Sequence, residues 1–162
     1  MHQAAMDFVQ RCIRFHGPWR DVVEVGGRNL NGSVRPLFWK SRYTAIDLED
    51  GEGVDVVGDA LDWWPDTPPD CVLCLEVLEH VEHAWRLTTH MARWLRPGGV
   101  LIVTCASPDR EPHSGIDGGT VRDGEWYKGL TFGQLLWGDL VDMELVEMST
   151  PATDTHAMWR AV

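Results

Sequence analysis

The acidic residues of this chain gather where apolar runs stop. Glu24 precedes the Gly26-Gly27 turn, Asp47 closes Tyr43-Thr44-Ala45-Ile46, and Asp59 follows Val56-Val57-Gly58. Glu76 and Glu79 flank Val77-Leu78, with His80 next. Asp47 comes 21 positions after Gly26, and a carboxylate about 20 residues past a glycine turn accepts both hydroxyls of a ribose. Alone, Asp47 would be a plain strand-end aspartate; in register with Glu24 it favours a ligand. Glu24 beside the turn suits a ligand carrying positive charge. Glu76, Glu79 and His80 stand at i, i+3 and i+4 and share a face if the segment is helical. His80, and His113 farther along, are candidate general bases.

Strands alternating with helices must position these groups. Met6–Phe15 carries one helical stripe, stopped by Gly17-Pro18. Asp21–Val25 reads as a buried strand, and Asn31-Gly32-Ser33 offers capping chemistry for a helix over Val34–Trp39, with Pro36 near its start. Strands are expected over Tyr43–Asp47, Val54–Val57, Asp70–Leu75 and Val100–Thr104. A helix over Trp85–Leu95 turns Leu87, Met91, Trp94 and Leu95 inward and ends at Pro97-Gly98-Gly99. This alternation implies a parallel sheet with right-handed crossovers. Pro108–Leu130 holds five glycines, several acids and few apolar residues, and reads as a long loop. A short helix over Thr131–Leu140 and strands over Val141–Met148 and Thr155–Val162 would close the sheet.

The four strand-end signatures, followed by Leu95-Arg96-Pro97-Gly98-Gly99, resemble in order and spacing the S-adenosylmethionine-dependent methyltransferases of the Rossmann-like class I, in particular the type 11 methyltransferase-domain group. The resemblance covers about Asp21 to Ser107 and extends toward the C-terminus. It implies a single-domain three-layer α/β/α sandwich over residues 1–162, its mostly parallel sheet closed by an antiparallel last strand and with no appended substrate domain. It implies S-adenosyl-L-methionine as cofactor, with Glu24, Gly26, Gly27, Arg28 and Asn31 around the methionine part. Asp47 and Leu48 then meet the ribose, Gly58, Asp59 and Ala60 the adenine, and Leu75 and Glu76 the region of the methyl group. The other reading of Asp59 is a cap for a helix over Leu61–Trp64. The family's further glycines fall here at Arg28 and Leu30, with Gly32 instead, so a wider turn is expected. Arg28 either meets the methionine carboxylate or stays in solvent. The turn does not spell Gly-x-Gly-x-x-Gly, and pyrophosphate would be repelled by Glu24, which disfavours a nicotinamide enzyme.

Direct displacement from a sulfonium needs the nucleophile in line, and a base only where a proton must leave. The resemblance implies catalytic roles for Glu76, His80 and His113 and makes 108–130 a candidate substrate lid, with Trp126 and Tyr127 over the acceptor; the other reading is a mobile loop with those aromatics tucked on the core. Ubiquinone-pathway O-methyltransferases and small-RNA 3′-end methyltransferases look similar at Glu76-Val77-Leu78-Glu79-His80. They imply a possible divalent metal, Mg or Mn, on Glu76, Glu79, His80 and His113, with His83 as a second option for the last ligand. The expected reaction is methyl transfer to an O or N atom of a small-molecule acceptor. The alternative is a non-catalytic methyltransferase-like binding or partner module.

A formal charge of −11 and a pI near 4.9 repel phosphate backbones, which disfavours nucleic acid. The dense basic pairs, Arg11/Arg14 and Lys40/Arg42, read as solvated faces. No apolar run approaches the roughly 20 residues of a membrane span, and the N-terminus lacks a signal-peptide pattern, so a cytoplasmic protein is expected. A homodimer stays open. Cys71 and Cys74 have a zinc-knuckle gap but lie on a strand, facing opposite sides, and there is no second such pair. Reduced core thiols are expected at all four cysteines, and core or interface packing for most of the nine tryptophans.

Overall fold

The computed structural model describes residues 3–136, 140 and 142–162. Helix α1 (Gln3–His16) leads into β1 (Asp21–Val25), and the connection to β2 (Arg42–Asp47) carries a 3-10 turn, Arg35–Phe38. Then come β3 (Val56–Val57), β4 (Cys71–Leu75), a second 3-10 turn (Leu78–His80), α2 (Ala84–Ala92) and β5 (Val100–Ala106). The one-turn helix α3 (Phe132–Leu135) precedes β6 (Met143–Ser149) and β7 (Asp154–Ala161). These strands form one sheet ordered β3-β2-β1-β4-β5-β7-β6. β1 to β5 are parallel, and β7 inserts antiparallel between β5 and β6. This is the mostly parallel sheet with an antiparallel last strand that the sequence implied.

Alternation along the strands builds two cores. Val23, Val25, Val72, Cys74, Leu101, Val103 and Trp159 face one layer with Leu87 and Met91 of α2 and Leu135 of α3. Val22, Cys71, Leu73, Val100, Ile102 and Met158 face the other, with Phe8, Val9 and Cys12 of α1 and Phe38. Every residue of β4 and β5 is buried, as central strands covered on both faces must be. Burying each large aliphatic side chain contributes about 1.5–3 kcal/mol. A one-residue slip would exchange the two sets, so the register is fixed. Cys71 and Cys74 lie in opposite layers, and all four cysteines are buried and free, as reduced core thiols.

Several elements are shorter or longer than the patterns suggested. α1 begins earlier, at Gln3, and Gly17 closes it by donating to the Ile13 carbonyl at 3.0 Å. The expected helix over Val34–Trp39 is only the 3-10 turn, with Pro36 in its first turn and no side-chain cap. β3 keeps two of the four expected residues, and Leu61–Trp64 forms a turn rather than a helix. α2 stops at Ala92, and Trp94 and Leu95 continue through i→i+3 bonds toward Pro97, whose ring disfavours a helical residue before it. β5 runs two residues further, to Ala106. α3 ends at Leu135, while residues 137–139 and 141 of the expected helix and strand lie outside the described residues. The tryptophans divide between core and surface. Trp19, Trp94 and Trp159 are buried, whereas Trp39, Trp64, Trp85 and Trp126 are exposed.

Residues 108–129 form a loop that leaves and returns at one point. The Leu130 amide donates to the Ala106 carbonyl at 2.7 Å, and the Thr155 hydroxyl donates to the Leu130 carbonyl at 2.8 Å. A Cβ added to Gly129 would stand 2.1 Å from the Ser107 carbonyl oxygen, so the two ends of the loop can touch only through glycine. Among the described residues no helix is long and apolar enough to cross a membrane.

Candidate functional site

In open α/β sheets ligands bind beyond the carboxyl ends of the strands, where the strand order reverses. Here that point is between β1 and β4, and a cleft of about 940 Å³ opens there. All twelve residues expected at the cofactor line it: Glu24, Gly26, Gly27, Arg28, Asn31, Asp47, Leu48, Gly58, Asp59, Ala60, Leu75 and Glu76. His80 and His113 line it too; Glu79 lies behind this wall, and His83 is exposed at the start of α2.

The turn after β1 is tight because the next layer is close. Gly26 has φ +76°, and a Cβ there would lie 2.1 Å from Val77 Cγ2. At Gly27 a Cβ would lie 2.5 Å from the Cβ of Ala45. Glu24 is 3% exposed and accepts the Tyr43 hydroxyl at 2.8 Å. Burial pushes its carboxyl up to about 7, against the opposing pull of Tyr43 and Arg35. Asp47 is held square to the strand end. One of its oxygens accepts the Arg28 amide and the other the Glu49 amide, each at 3.1 Å. The Arg28 guanidinium reaches across to the Ile116 carbonyl at 2.9 Å, bridging the turn to the loop above it. Asp59 accepts the Leu61 amide at 2.8 Å and so closes a turn. A Cβ at Gly58 would meet nothing within 4 Å.

The expected helical face of Glu76, Glu79 and His80 does not form, because only Leu78–His80 is helical, and that as a single 3-10 turn. Glu76 instead adopts φ +61°, a left-handed conformation costing an L-residue about 1–2 kcal/mol. Its amide donates to the Thr104 carbonyl, and its carboxylate accepts the Thr104 hydroxyl at 2.9 Å and pairs with Arg110. Arg110 also pairs with Asp154 at the start of β7 and comes within 3.6 Å of Glu79.

Glu79 points inward, fully buried, accepting the Ala106 amide at 3.1 Å with Oε1 while Oε2 has no hydrogen-bond partner. Burial first, and the Glu76 charge second, hold its carboxyl above the usual range. His80, His113 and Tyr127 pack edge to face, with ring centroids 5.0–5.4 Å apart. The His80 Nδ1 and Tyr127 hydroxyl are buried without partners. Burial, with His113 alongside, lowers His80 to about 4, so its imidazole is neutral. Burial raises Tyr127 to about 12. Ligand atoms of Glu79, His80 and His113 all lie within 4.8 Å of one another, the grouping of this kind among the described residues. Arg110 and Tyr43 were not singled out from sequence. Their partners lie 34, 44 and 19 positions away, so no local pattern marks them.

A Rossmann-like sheet with an acid at the end of each of β1 and β2, and a cleft at the switch point, defines the S-adenosylmethionine-dependent class I architecture. The family model described as methyltransferase domain matches residues 1–159. The chain belongs to this methyltransferase family and is an S-adenosylmethionine-dependent methyltransferase. No curated protein matches its sequence. The fold is similar to N-methyltransferase NodS from Bradyrhizobium japonicum WM9, solved with S-adenosylhomocysteine. That pair has a TM-score of 0.69 at 15% identity, covering 98% of this chain and 86% of the other. It is similar also to the 1,6-didemethyltoxoflavin-N1-methyltransferase of Burkholderia thailandensis (TM-score 0.69, 16% identity, 99% of this chain and 77% of that one). A third is the CcbJ methyltransferase of Streptomyces caelestis (TM-score 0.68, 16% identity, 98% and 94%).

Proposed function

We propose that this enzyme methylates an oxygen or nitrogen atom of a small-molecule acceptor held beneath the 108–130 lid. The observation that carries this reading is the meeting of His80 and His113 at the lid side of the cleft, 5.0 Å apart by ring centroid and next to Glu76. Bound S-adenosylmethionine supplies a methyl group on a sulfonium, open to direct displacement. The chain's part is to hold both reactants and to take a proton. The donor set fits that cofactor. Glu24 suits its cationic methionine end, the two oxygens of Asp47 suit a pair of ribose hydroxyls, and Gly58-Asp59-Ala60 forms an open adenine ledge. His80, neutral through burial, and His113 stand where a base would receive the acceptor's proton. Eight carboxylate residues line the cleft against Arg28 and Arg110, both already bonded, which supports a neutral or cationic acceptor over an anionic one. The net charge of −11 likewise disfavours nucleic acid.

The test is release of S-adenosylhomocysteine from S-adenosylmethionine over a panel of amines and phenols. The double variant His80→Ala/His113→Ala should keep cofactor affinity and lose turnover. Full turnover in that variant would remove the histidines from the reaction.

A second reading is favoured by the three ligand atoms within 4.8 Å of one another, which small side-chain rotations would bring within the roughly 4.2 Å that one divalent ion about 2.1 Å from each ligand allows. Glu79, His80 and His113 would hold Mg or Mn, the imidazoles favouring Mn. Glu76, committed to Thr104 and Arg110, would stay outside the ligand set. A bound cation would supply Lewis acidity to acceptor hydroxyls.

A further inference from the structure

We propose that Arg110 is a positioning residue of the methyl-transfer site, its guanidinium fixing the Glu76 carboxylate at the cleft wall by bridging it to Asp154. This rests on the methyltransferase reading above and on the expectation from the sequence that Glu76 meets the cofactor near its methyl group.

Arg110 stands at the root of the lid and is 9% exposed. Three carboxylates from three elements meet it. Nη1 pairs with Glu76 beyond β4 and comes within 3.6 Å of Glu79 on the 3-10 turn; Nη2 pairs with Asp154 on β7. On the far side, His156 stands 3.5 Å from Asp154. A planar fork presents two donors in fixed directions to carboxylates on separate elements; an ammonium gathers its three donors on one compact charge without that fixed geometry.

The strain at Glu76 gives the bridge a purpose beyond packing. A glutamate at φ +61° needs its surroundings to hold it there. The backbone bond to Thr104 fixes its amide, and the Thr104 hydroxyl and Arg110 both hold its carboxylate, one on each oxygen. Arg110 and Glu76 both line the cleft, so the pair is part of its wall and not of the core behind it. The same guanidinium anchors the lid root to the sheet, so the acceptor side and the cofactor side take their relative position from one group.

A purely structural salt bridge would behave differently under substitution. Removing the cation altogether would strand the buried carboxylates of Glu79 and Asp154 together with the half-buried Glu76 and endanger folding, so the informative variants keep the charge or cut one arm. Arg110→Lys retains the cation and loses the fork. Asp154→Asn weakens only the β7 arm and leaves Glu76 held. We expect Arg110→Lys to weaken S-adenosylhomocysteine binding by about tenfold, as sub-ångström misplacement of a contacting group does. Asp154→Asn should stay within about threefold of the parent, even where its melting temperature falls as far. In the Glu76→Gln background, Arg110→Lys should add no further loss of affinity, because the group it positions is already altered. Calorimetric titration with S-adenosylhomocysteine, alongside thermal melts, reads all of these. Affinity that tracks melting temperature across Arg110→Lys and Asp154→Asn would overturn the proposal, as would a full additional loss in the double variant. If Glu76→Gln itself binds like the parent, the placement of Glu76 beside the cofactor fails, and the role of Arg110 with it. If Glu76→Gln is weak and Arg110→Lys is not, the role of Arg110 alone is refuted.

Discussion

Asp47→Ala should weaken binding of S-adenosylhomocysteine by about two orders of magnitude while leaving the protein folded. Each carboxylate oxygen of Asp47 already accepts one backbone amide, from Arg28 or Glu49, at 3.1 Å. These bonds orient the group and leave each oxygen capacity for one ribose hydroxyl. A hydrogen bond to a charged group contributes about 1.5–3 kcal/mol. Two of them, at the lower bound because Asp47 is only half-buried, give about 3 kcal/mol, or roughly 150-fold in Kd. The substitution also strips two amides of their acceptor. Water at the cleft rim replaces most of that, so the folding cost is about 1 kcal/mol, or a Tm lower by roughly 2–4 °C. Isothermal calorimetry with S-adenosylhomocysteine and S-adenosylmethionine separates the two effects. Both ligands carry the ribose and should lose affinity equally. An affinity within about threefold of the parent, or a loss confined to S-adenosylmethionine, would refute the assignment. Asp47→Asn should fall between, since its amide nitrogen must face one of the two backbone N–H groups.

Gly26→Ala should lower stability by about 2–4 kcal/mol, combining a left-handed alanine with a clash against Val77, which thermal melting would register as a drop of roughly 6–12 °C. Gly58→Ala has open space around its new methyl and should leave the melt unchanged while weakening cofactor binding; equal affinity would take the adenine away from this ledge. Glu24 is held up to about 7, so its contribution to the stability of the ligand-free protein is present below about 4.5 and is lost as pH rises through about 7. Melts at pH 5 and 8 should show a larger fall in the parent than in Glu24→Gln, where the fall that remains belongs to the buried Glu79. A cationic ligand favours the ionised carboxylate, so S-adenosylmethionine affinity should rise roughly tenfold between pH 6 and 8, and a flat profile would separate Glu24 from the ligand's charge. If Glu79, His80 and His113 hold a cation, Mn titration should show one calorimetric site that His113→Ala abolishes, and an unaltered isotherm would leave the cluster without a metal role.

The parts of the site carried by single strand ends were legible in the sequence. Glu24, Asp47 and Asp59 each follow a short apolar run, and local chain geometry is enough to bring such residues to one edge of a parallel sheet. Of the stretch from Glu76 to His80, Glu76, Val77 and His80 line the cleft while Glu79 points into the core, and the shared face that a helical segment would give is not formed. The conformation of this stretch is set by Thr104 and Arg110, which are remote in sequence. Helix length failed where proline intervened: Pro36 shortened one element to a 3-10 turn, and Pro97 stopped α2 before Trp94. Composition reports how many large rings a chain has and not which side of an element they occupy, so it did not separate buried Trp94 and Trp159 from exposed Trp39 and Trp126.

The neck at Ala106–Ser107 and Gly129–Leu130 makes the loop between them a detachable cassette. Since its ends coincide, its length and contents are decoupled from the strand register below: residues can be inserted, removed or replaced between them at only a small entropic cost of loop closure. The sheet and this loop are thereby free to diversify at different rates. One loop can be exchanged on an unaltered sheet, provided the graft keeps a glycine at the neck and an arginine able to reach Glu76 and Asp154.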